Sequence, residues 1–474
     1  MCLQRYDLNE VMKVVQEDNG HNPAPAGCGL ASLSLDQLVA ILQFLPVQSL
    51  IAFGLTCKRF REIADSDNLW AYICVREWGR RAVQTWPNHG KERGGWKMVY
   101  RQMLMLKAGS WRKVEQGDVG PAPRASHSLY TVADNLSVYG GGCQGGRHLD
   151  DTWVASLPTE ISEGIVWHRI NNGSPPGRFG QSCTVVNDSI VIFGGINDQG
   201  VRHCDTWINR GLGSGNLYES PAWELVDVVT SPPPRGAHAG CCGGDRRVVI
   251  FGGIGTEGNR FGDTWVLDLS ESPPTWHDVI TSASPPARSG HTMTWIGGRK
   301  MILFGGRGIR FEVLNDVWLL DMEGAYPQWV ELRPRELQPL HDRPAPRAGH
   351  SATLIFGERI LIFGGEDARR SRKGDAWVLD PKAGVQVGCG SSCMPSYPQK
   401  PFSEDKLAPR FWKKLKQLGQ LPSRRSFHGA CALGSGHSIL VFGGMVDGEL
   451  LPGAATGLGF DAEMHMLQLV PCCT

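Results

Sequence analysis

The sequence predicts a mainly β protein, a six-bladed propeller preceded by a small helical module. Three observations predict it. A three-part signature returns six times: Arg-x-x-His, an apolar run ending in Gly-Gly, then Asp-x-Trp. In five copies the acid follows the second glycine by ten residues, at Gly141/Asp151, Gly195/Asp205, Gly253/Asp263, Gly306/Asp316 and Gly365/Asp375. The strand missing from the sixth copy is found ahead of the first.

Residues 1–29 hold a short helical pattern, Leu8 to Val15, and a Pro/Ala/Gly stretch, and are expected to be mobile. From residue 30 the period becomes helical. Leu35, Leu38, Val39, Leu42 and Leu45 form one apolar stripe that Pro46 ends. Val47 to Leu55 and Thr56 to Asp65 give two more helices, followed by Leu69-Trp70. Three short helices bury too little to be stable alone, so residues 30–75 are expected to need a partner. Leu45-Pro46, Thr56-Cys-Lys-Arg-Phe60 and Asp67-x-Leu-Trp70 resemble the marks of an F-box. The stretch departs from that family at Ser34, where proline is usual, which should loosen the first helix start. The 29 residues ahead of it are too few for the light-sensing flavin domain that some relatives carry. Residues 76–108 read as a helical connector anchored by Trp78, Trp86 and Trp96, too short before Trp111 for a hinge, so the helical module and the propeller are expected to be held rigidly.

The copies of the signature fill residues 109–470 at a period of 53 to 78 residues. Val248 to Phe251 and Met301 to Phe304 are apolar runs stopped at glycines, as buried strands are. Thr264 to Leu269 and Trp276 to Val279 supply a third and a fourth strand. Four short strands per copy make a propeller blade, and the copies resemble kelch repeats. The sixth copy has only a degenerate third strand, Glu463 to Leu469, and no fourth. Trp111 to Val114 is the spare one, so a strand at residues 110–115 should complete the last blade. The stretch 381–409 reads as a loop insert and 445–462 as a second long loop.

Sixty glycines, against about 33 at the usual ~7%, recur in register and therefore mark turns. A net charge of +1 gives no reason to expect nucleic acid or an anionic membrane. The acidic first twenty residues lack a secretory pattern, and no apolar run is long enough to span a bilayer. The chain is therefore expected inside the cell, in nucleus or cytoplasm, with its 14 cysteines reduced.

No catalytic constellation stands out, and no metal or cofactor is expected. Gly140 to Gly146 lacks the Lys-Ser/Thr of a phosphate loop, and Cys389-x-x-x-Cys393 has no second ligand pair. The histidine of the signature recurs in five copies and serves the blade. So do Arg124, Arg178, Arg235, Arg288, Arg347 and Arg425, the five acids, and Trp153, Trp207, Trp265, Trp318 and Trp377. Each arginine and acid should satisfy buried backbone or pair with the other, and each tryptophan should pack between sheets. Some kelch propellers are metal enzymes. Their plant iron site resembles Glu-x-x-x-Asp-x-x-x-His, but Glu312-x-x-x-Asp316 is followed here by Leu320.

The two resemblances together imply a non-catalytic substrate receptor of an SCF-type cullin–RING ubiquitin ligase, of the plant F-box/kelch-repeat kind. The alternatives are a metal-dependent propeller enzyme or a scaffold outside any ligase. The F-box would dock a Skp-type adaptor, and through it the cullin, using Leu33, Leu35, Leu38, Leu42, Leu45, Pro46, Leu50, Cys57, Phe60 and Trp70. The propeller would hold a protein target. Arg307, Arg310, Phe311, Arg369, Arg370, Arg372 and Lys373, on adjacent loops of one face, are the candidate contacts, suited to an acidic or phosphorylated segment.

Overall fold

Ser34 opens the first helix with reciprocal hydrogen bonds: its Oγ accepts from the Gln37 backbone N–H (3.3 Å), and Gln37 Oε1 accepts from the Ser34 N–H (2.9 Å). This capping box fixes the start that the missing proline was expected to loosen. The computed structural model describes residues 30, 33–78, 95–104 and 106, and residues 108–470 apart from 133, 158–163, 171–174, 188, 211–222, 325, 335–338, 387–409, 435 and 449–457. The expectation for residues 1–29 lies outside these. The described chain divides into a helical unit and a β unit.

The helical unit contains α1 (Leu35–Leu42), α2 (Val47–Gly54), α3 (Lys58–Ala64), α4 (Asp67–Trp78) and the first residues of α5 (Gly95–Leu104). It is larger than the expected module at 30–75. The unit takes in residues 95–100 of the expected connector, because α5 packs back on α4: Tyr100 meets the Trp70 ring edge-on at 5.0 Å, and the Trp96 N–H donates to the Asp67 carboxylate. Leu38, Leu42, Leu50, Ile63, Leu69, Trp70 and Ile73 fill its core.

The β unit is a six-bladed propeller of six separate sheets. Blade one pairs Ser128–Val132, Asn135–Tyr139, Thr152–Ser156 and His168–Ile170 in order, all antiparallel, and the others repeat this plan. Blade six is completed across the termini, where Ala108–Val114 pairs antiparallel with Leu458–Val470, Trp111 opposite Leu467. Apolar side chains of neighbouring sheets make the core, which is anchored by one tryptophan in or just before each blade's outer strand. Trp276 packs on Phe193, Trp329 on Phe251, Trp412 on Phe304 and Trp111 on Phe363, with ring centroids 4.8 to 5.3 Å apart.

The blades are also joined around the axis by backbone. The residue two after each signature arginine donates its N–H to the equivalent carbonyl of the preceding blade. The circuit runs through Ser126, Gly180, Ala237, Gly290, Gly349 and Phe427 and back to Ser126, at 2.6 to 3.1 Å per bond. All six residues have positive φ, between 54° and 64°. Glycine suits that conformation, whereas Ser126, Ala237 and Phe427 hold it at a cost.

The two expected loops are partly regular. Pro381–Ala383 is a helical turn, and Gly384–Gln386 adds a strand to the outer edge of blade four beside Gln328–Pro334. On the far side of residues 387–409, Lys416–Gly419 pairs in parallel with Ala108–Val114 on blade six. Both additions cover outer-strand backbone that would otherwise face solvent. In the 445–462 stretch, Ser438–Asp447 and Leu458–Val470 continue their ladder past Gly444, which shortens the loop.

Candidate interaction surfaces

The signature residues hold the blades together. In blade three the buried Arg235 grips both carboxylate oxygens of Asp263 at 2.7 Å and donates to the carbonyls of Gly252 and Pro233 at 3.0 Å. The Trp265 ring N–H donates to Asp263 Oδ2 at 2.8 Å. Arg124/Asp151/Trp153, Arg178/Asp205/Trp207, Arg288/Asp316/Trp318 and Arg347/Asp375/Trp377 repeat the clamp. Burial pushes these carboxyls up, but hydrogen bonds from arginine and its charge outweigh that and leave each below the ordinary range. Sequence spacing missed the sixth acid. Asp461 pairs with Arg425 at 2.8 Å, seventeen residues after Gly444, because a longer excursion separates the two strands. The tryptophans of the signature thus fix carboxylates as well as pack, and the outer-strand set does most of the joining between sheets.

The histidines bridge blades. His238, His350 and His428 each lie 2.9 Å from a hydroxyl of the preceding blade, on Ser182, Thr292 and Ser351. Gln181 makes the same bond to Ser128 at 3.1 Å. Ala239 and Gly429 stand at that position before His291 and His127, so those two rings meet no hydroxyl. Glycine is required behind each ring: a Cβ at Gly253 would lie 2.8 Å from that of His238. Burial drives the imidazoles down, to about 3 at His127, His238 and His350. Among the described residues, no group of three or more His, Cys, Asp or Glu is placed to hold a metal ion. Asp316, the acid of the iron-site comparison, is held by Arg288.

On the helical unit the expected adaptor residues separate into two sets. Leu38, Leu42, Leu50 and Trp70 are at most 3% exposed and form the core, so they support a surface and do not present one. Leu33, Leu45 and Phe60 are half-buried, and Phe60 stacks on Phe53 at 4.2 Å. Leu35, Pro46 and Cys57 are exposed. Sequence reading missed three further exposed apolar side chains, Phe44 (74%), Leu55 (71%) and Ile51 (52%). Ile51 and Leu55 stand one helical turn apart, a spacing visible in the sequence beside the buried Leu50.

On the propeller, the loops between second and third strands return beside the segment that opens the first strand, as in the Ala348–Glu366–Arg372 bridges, so both lie on one face. The expected basic cluster is half neutralised there. Arg307 pairs with Glu366 (3.0 Å), Arg372 with Asp447 (2.5 Å) and Lys373 with Asp367 (2.6 Å). Arg310, Arg369 and Arg370 remain exposed. Phe311 is exposed as expected, but its ring lies 4.6 Å from the guanidinium of Arg260, which sequence reading left out. The signal for Arg260 was its place seven residues past Gly253, which Arg202 and Arg372 repeat after Gly195 and Gly365.

Comparison with known proteins gives two family-model matches, "F-box-like" over residues 35–76 and "KLHDC2/KLHL20/DRC7 Kelch-repeats domain" over residues 216–385. The F-box/kelch-repeat protein At1g51550 of Arabidopsis thaliana is 43% identical over 93% of this chain and 92% of its own length. Adagio-like protein 1 of Oryza sativa subsp. japonica is 29% identical over 91% of this chain, and Adagio protein 3 of Arabidopsis thaliana 30% identical over 88%. The chain spans 66% and 62% of those two relatives.

Proposed function

Because the chain belongs to the F-box/kelch-repeat family, in which an F-box is coupled to a substrate-binding propeller, we propose that it is the substrate receptor of an SCF-type cullin–RING ubiquitin ligase. One observation carries the reading. The helical unit buries its own stripe of leucines and still exposes Leu35, Phe44, Ile51 and Leu55, and apolar side chains in that number on so small a unit mark a partner surface. The partner is a Skp-type adaptor, and through it the cullin. Leu38, Leu42, Leu50 and Trp70 keep the helices in register beneath the contact.

Catalysis in such an assembly belongs to the ubiquitin carrier. The receptor holds the target close and raises its effective concentration, so the chain needs no catalytic residue of its own. The target is captured on the propeller face that carries Arg310, Phe311, Arg369 and Arg370. An adaptor of this kind acts inside the cell, so the reading carries an intracellular setting, nucleus or cytoplasm.

The test is capture of the tagged chain from plant cells with the proteasome inhibited. Wild type should bring down adaptor, cullin and ubiquitinated third proteins. The double variant Ile51→Asp, Leu55→Asp should lose adaptor and cullin yet keep the third proteins. Undiminished adaptor and cullin in the variant would remove this surface from the account.

A further inference from the structure

One tight turn recurs in the loop between second and third strands of blades one to five. Its first residue donates its N–H to the carbonyl four residues on, at 2.8 to 3.2 Å, in the pairs Cys143/Arg147, Asn197/Val201, Gly255/Asn259, Gly308/Glu312 and Asp367/Ser371. The backbone is thus common to the blades, whereas the last side chain is arginine, valine, asparagine, glutamate or serine, exposed every time. The blade therefore has no need of the Ser371 hydroxyl.

That hydroxyl takes part in no hydrogen bond among the described residues, while the Ser371 N–H is held by Asp367 Oδ1 at 3.0 Å. Arg369 and Arg370 precede it, and Arg372 and Lys373 follow. The side chains of Arg369 and Arg370 are exposed and form no ion pair among the described residues, whereas Arg372 is held by Asp447 and Lys373 by Asp367. Ser371 is an accessible hydroxyl amid four cations. The chain holds Arg-Arg-Ser twice, and the fold separates the copies: in Arg424-Arg425-Ser426 the last two residues are fully buried.

Blade four shows that the turn accepts an anion at this place. Glu312 is the equivalent of Ser371, and its carboxylate accepts from the Arg310 backbone N–H at 2.8 Å. Phe311 and Arg370, one residue earlier, have φ of 63° and 60°, so the two turns match in conformation. In blade five Asp367 plays the accepting part, taking the N–H groups of Arg369 and Ser371. A phosphate on Ser371 would stand beside one carboxylate and four cations, a setting in which attraction outweighs repulsion.

We propose that Ser371 is a phosphorylation site for a protein serine kinase that selects basic segments, and that the modification weakens capture by this face of the propeller. Arg369 and Arg370 match the acidic cleft of such a kinase. The Ser371 oxygen bonds to the γ-phosphorus of ATP, the bond from that phosphorus to ADP breaks, and the hydroxyl proton passes to the kinase's base. The phosphate carries a charge of about −2 at neutral pH and so removes most of the excess positive charge of the turn. The site stands independently of the receptor reading, and its effect on capture rests on that reading.

The test treats the purified full chain with ATP and a serine kinase that requires arginine ahead of its target hydroxyl. Cleavage before aspartates releases residues 367–374 as one fragment, in which Ser371 is the single hydroxyl, and mass spectrometry should find one phosphate there and none on Ser426. Ser371→Ala should abolish that phosphate, and Arg369→Gln with Arg370→Gln should slow its addition about tenfold or more. No phosphate on the fragment, or a rate indifferent to the two arginines, would overturn the site. Treated and untreated wild type then serve as bait in plant extract. Treatment should reduce the third proteins and leave the adaptor unchanged, and treated Ser371→Ala should keep both; equal capture would overturn the effect on capture. Absence of adaptor from untreated wild type would sink the receptor reading and leave the phosphorylation result standing.

Discussion

The buried histidines give the propeller a steep acid limit, and one natural substitution within the chain shows how to relieve it. Blade two carries Gln181 where the other blades carry histidine, and it makes the same bridge to a hydroxyl of the preceding blade. The perturbation is therefore His238→Gln with His350→Gln. Burial lowers both imidazoles from 6.5 to about 3, so the folded state keeps them neutral where the unfolded chain would protonate them. Their contribution is whole above about pH 6.5 and drains away as pH falls toward 3. At pH 5 each should cost about 2 kcal/mol relative to neutral pH, from a slope of roughly 1.4 kcal/mol per pH unit. The assay is denaturant unfolding of the β unit by tryptophan fluorescence at pH 7 and pH 5. The double variant should lose about 4 kcal/mol less than wild type between the two, with a similar slope in denaturant. Equal losses in the two proteins would refute the reasoning and assign the acid limit to the carboxylate clamps.

Asp263→Asn leaves the buried Arg235 without its counter-charge and should cost about 3 kcal/mol or more in the same unfolding assay, whereas Lys300→Ala, on a surface pair, should cost under about 1 kcal/mol. Ala239→Ser offers His291 the hydroxyl that its neighbours have and should add about 1 kcal/mol; no gain would show that the ring is already satisfied. A chain beginning at residue 117 lacks Ala108–Val114, the strand between Leu458–Val470 and Lys416–Gly419, and should melt well below one beginning at residue 107. Equal melting temperatures would mean that blade six does not need it.

What the sequence made legible was repetition. Arg235 and Asp263 stand 28 residues apart, and the same two residues recur 27 or 28 apart in four other blades, so a shared role in the blade, pairing among them, could be read without knowing how the chain bends. Asp461 broke the offset and went unseen until the long strands of blade six brought it back to Arg425. The basic cluster was legible as composition only. Glu366 and Asp447, which neutralise Arg307 and Arg372, lie on neighbouring blades, and contacts between blades leave no local mark. The axial circuit was illegible for a different reason. It is made by backbone, so its six positions need share no side chain, and Phe427 does not resemble Gly180. On the helical unit the stripe through Leu38 and Leu42 marked a helix face correctly but could not say whether a partner or the unit itself covers it. Five short helices packed together use that stripe as their own core.

The receptor reading depends on the helical unit docking an adaptor, and calorimetric titration of a purified Skp-type adaptor into the full chain measures that directly. The account predicts one-to-one binding that the Ile51→Asp, Leu55→Asp variant abolishes, with the propeller's unfolding unchanged in both proteins. No heat of binding from a correctly folded wild-type chain would contradict it.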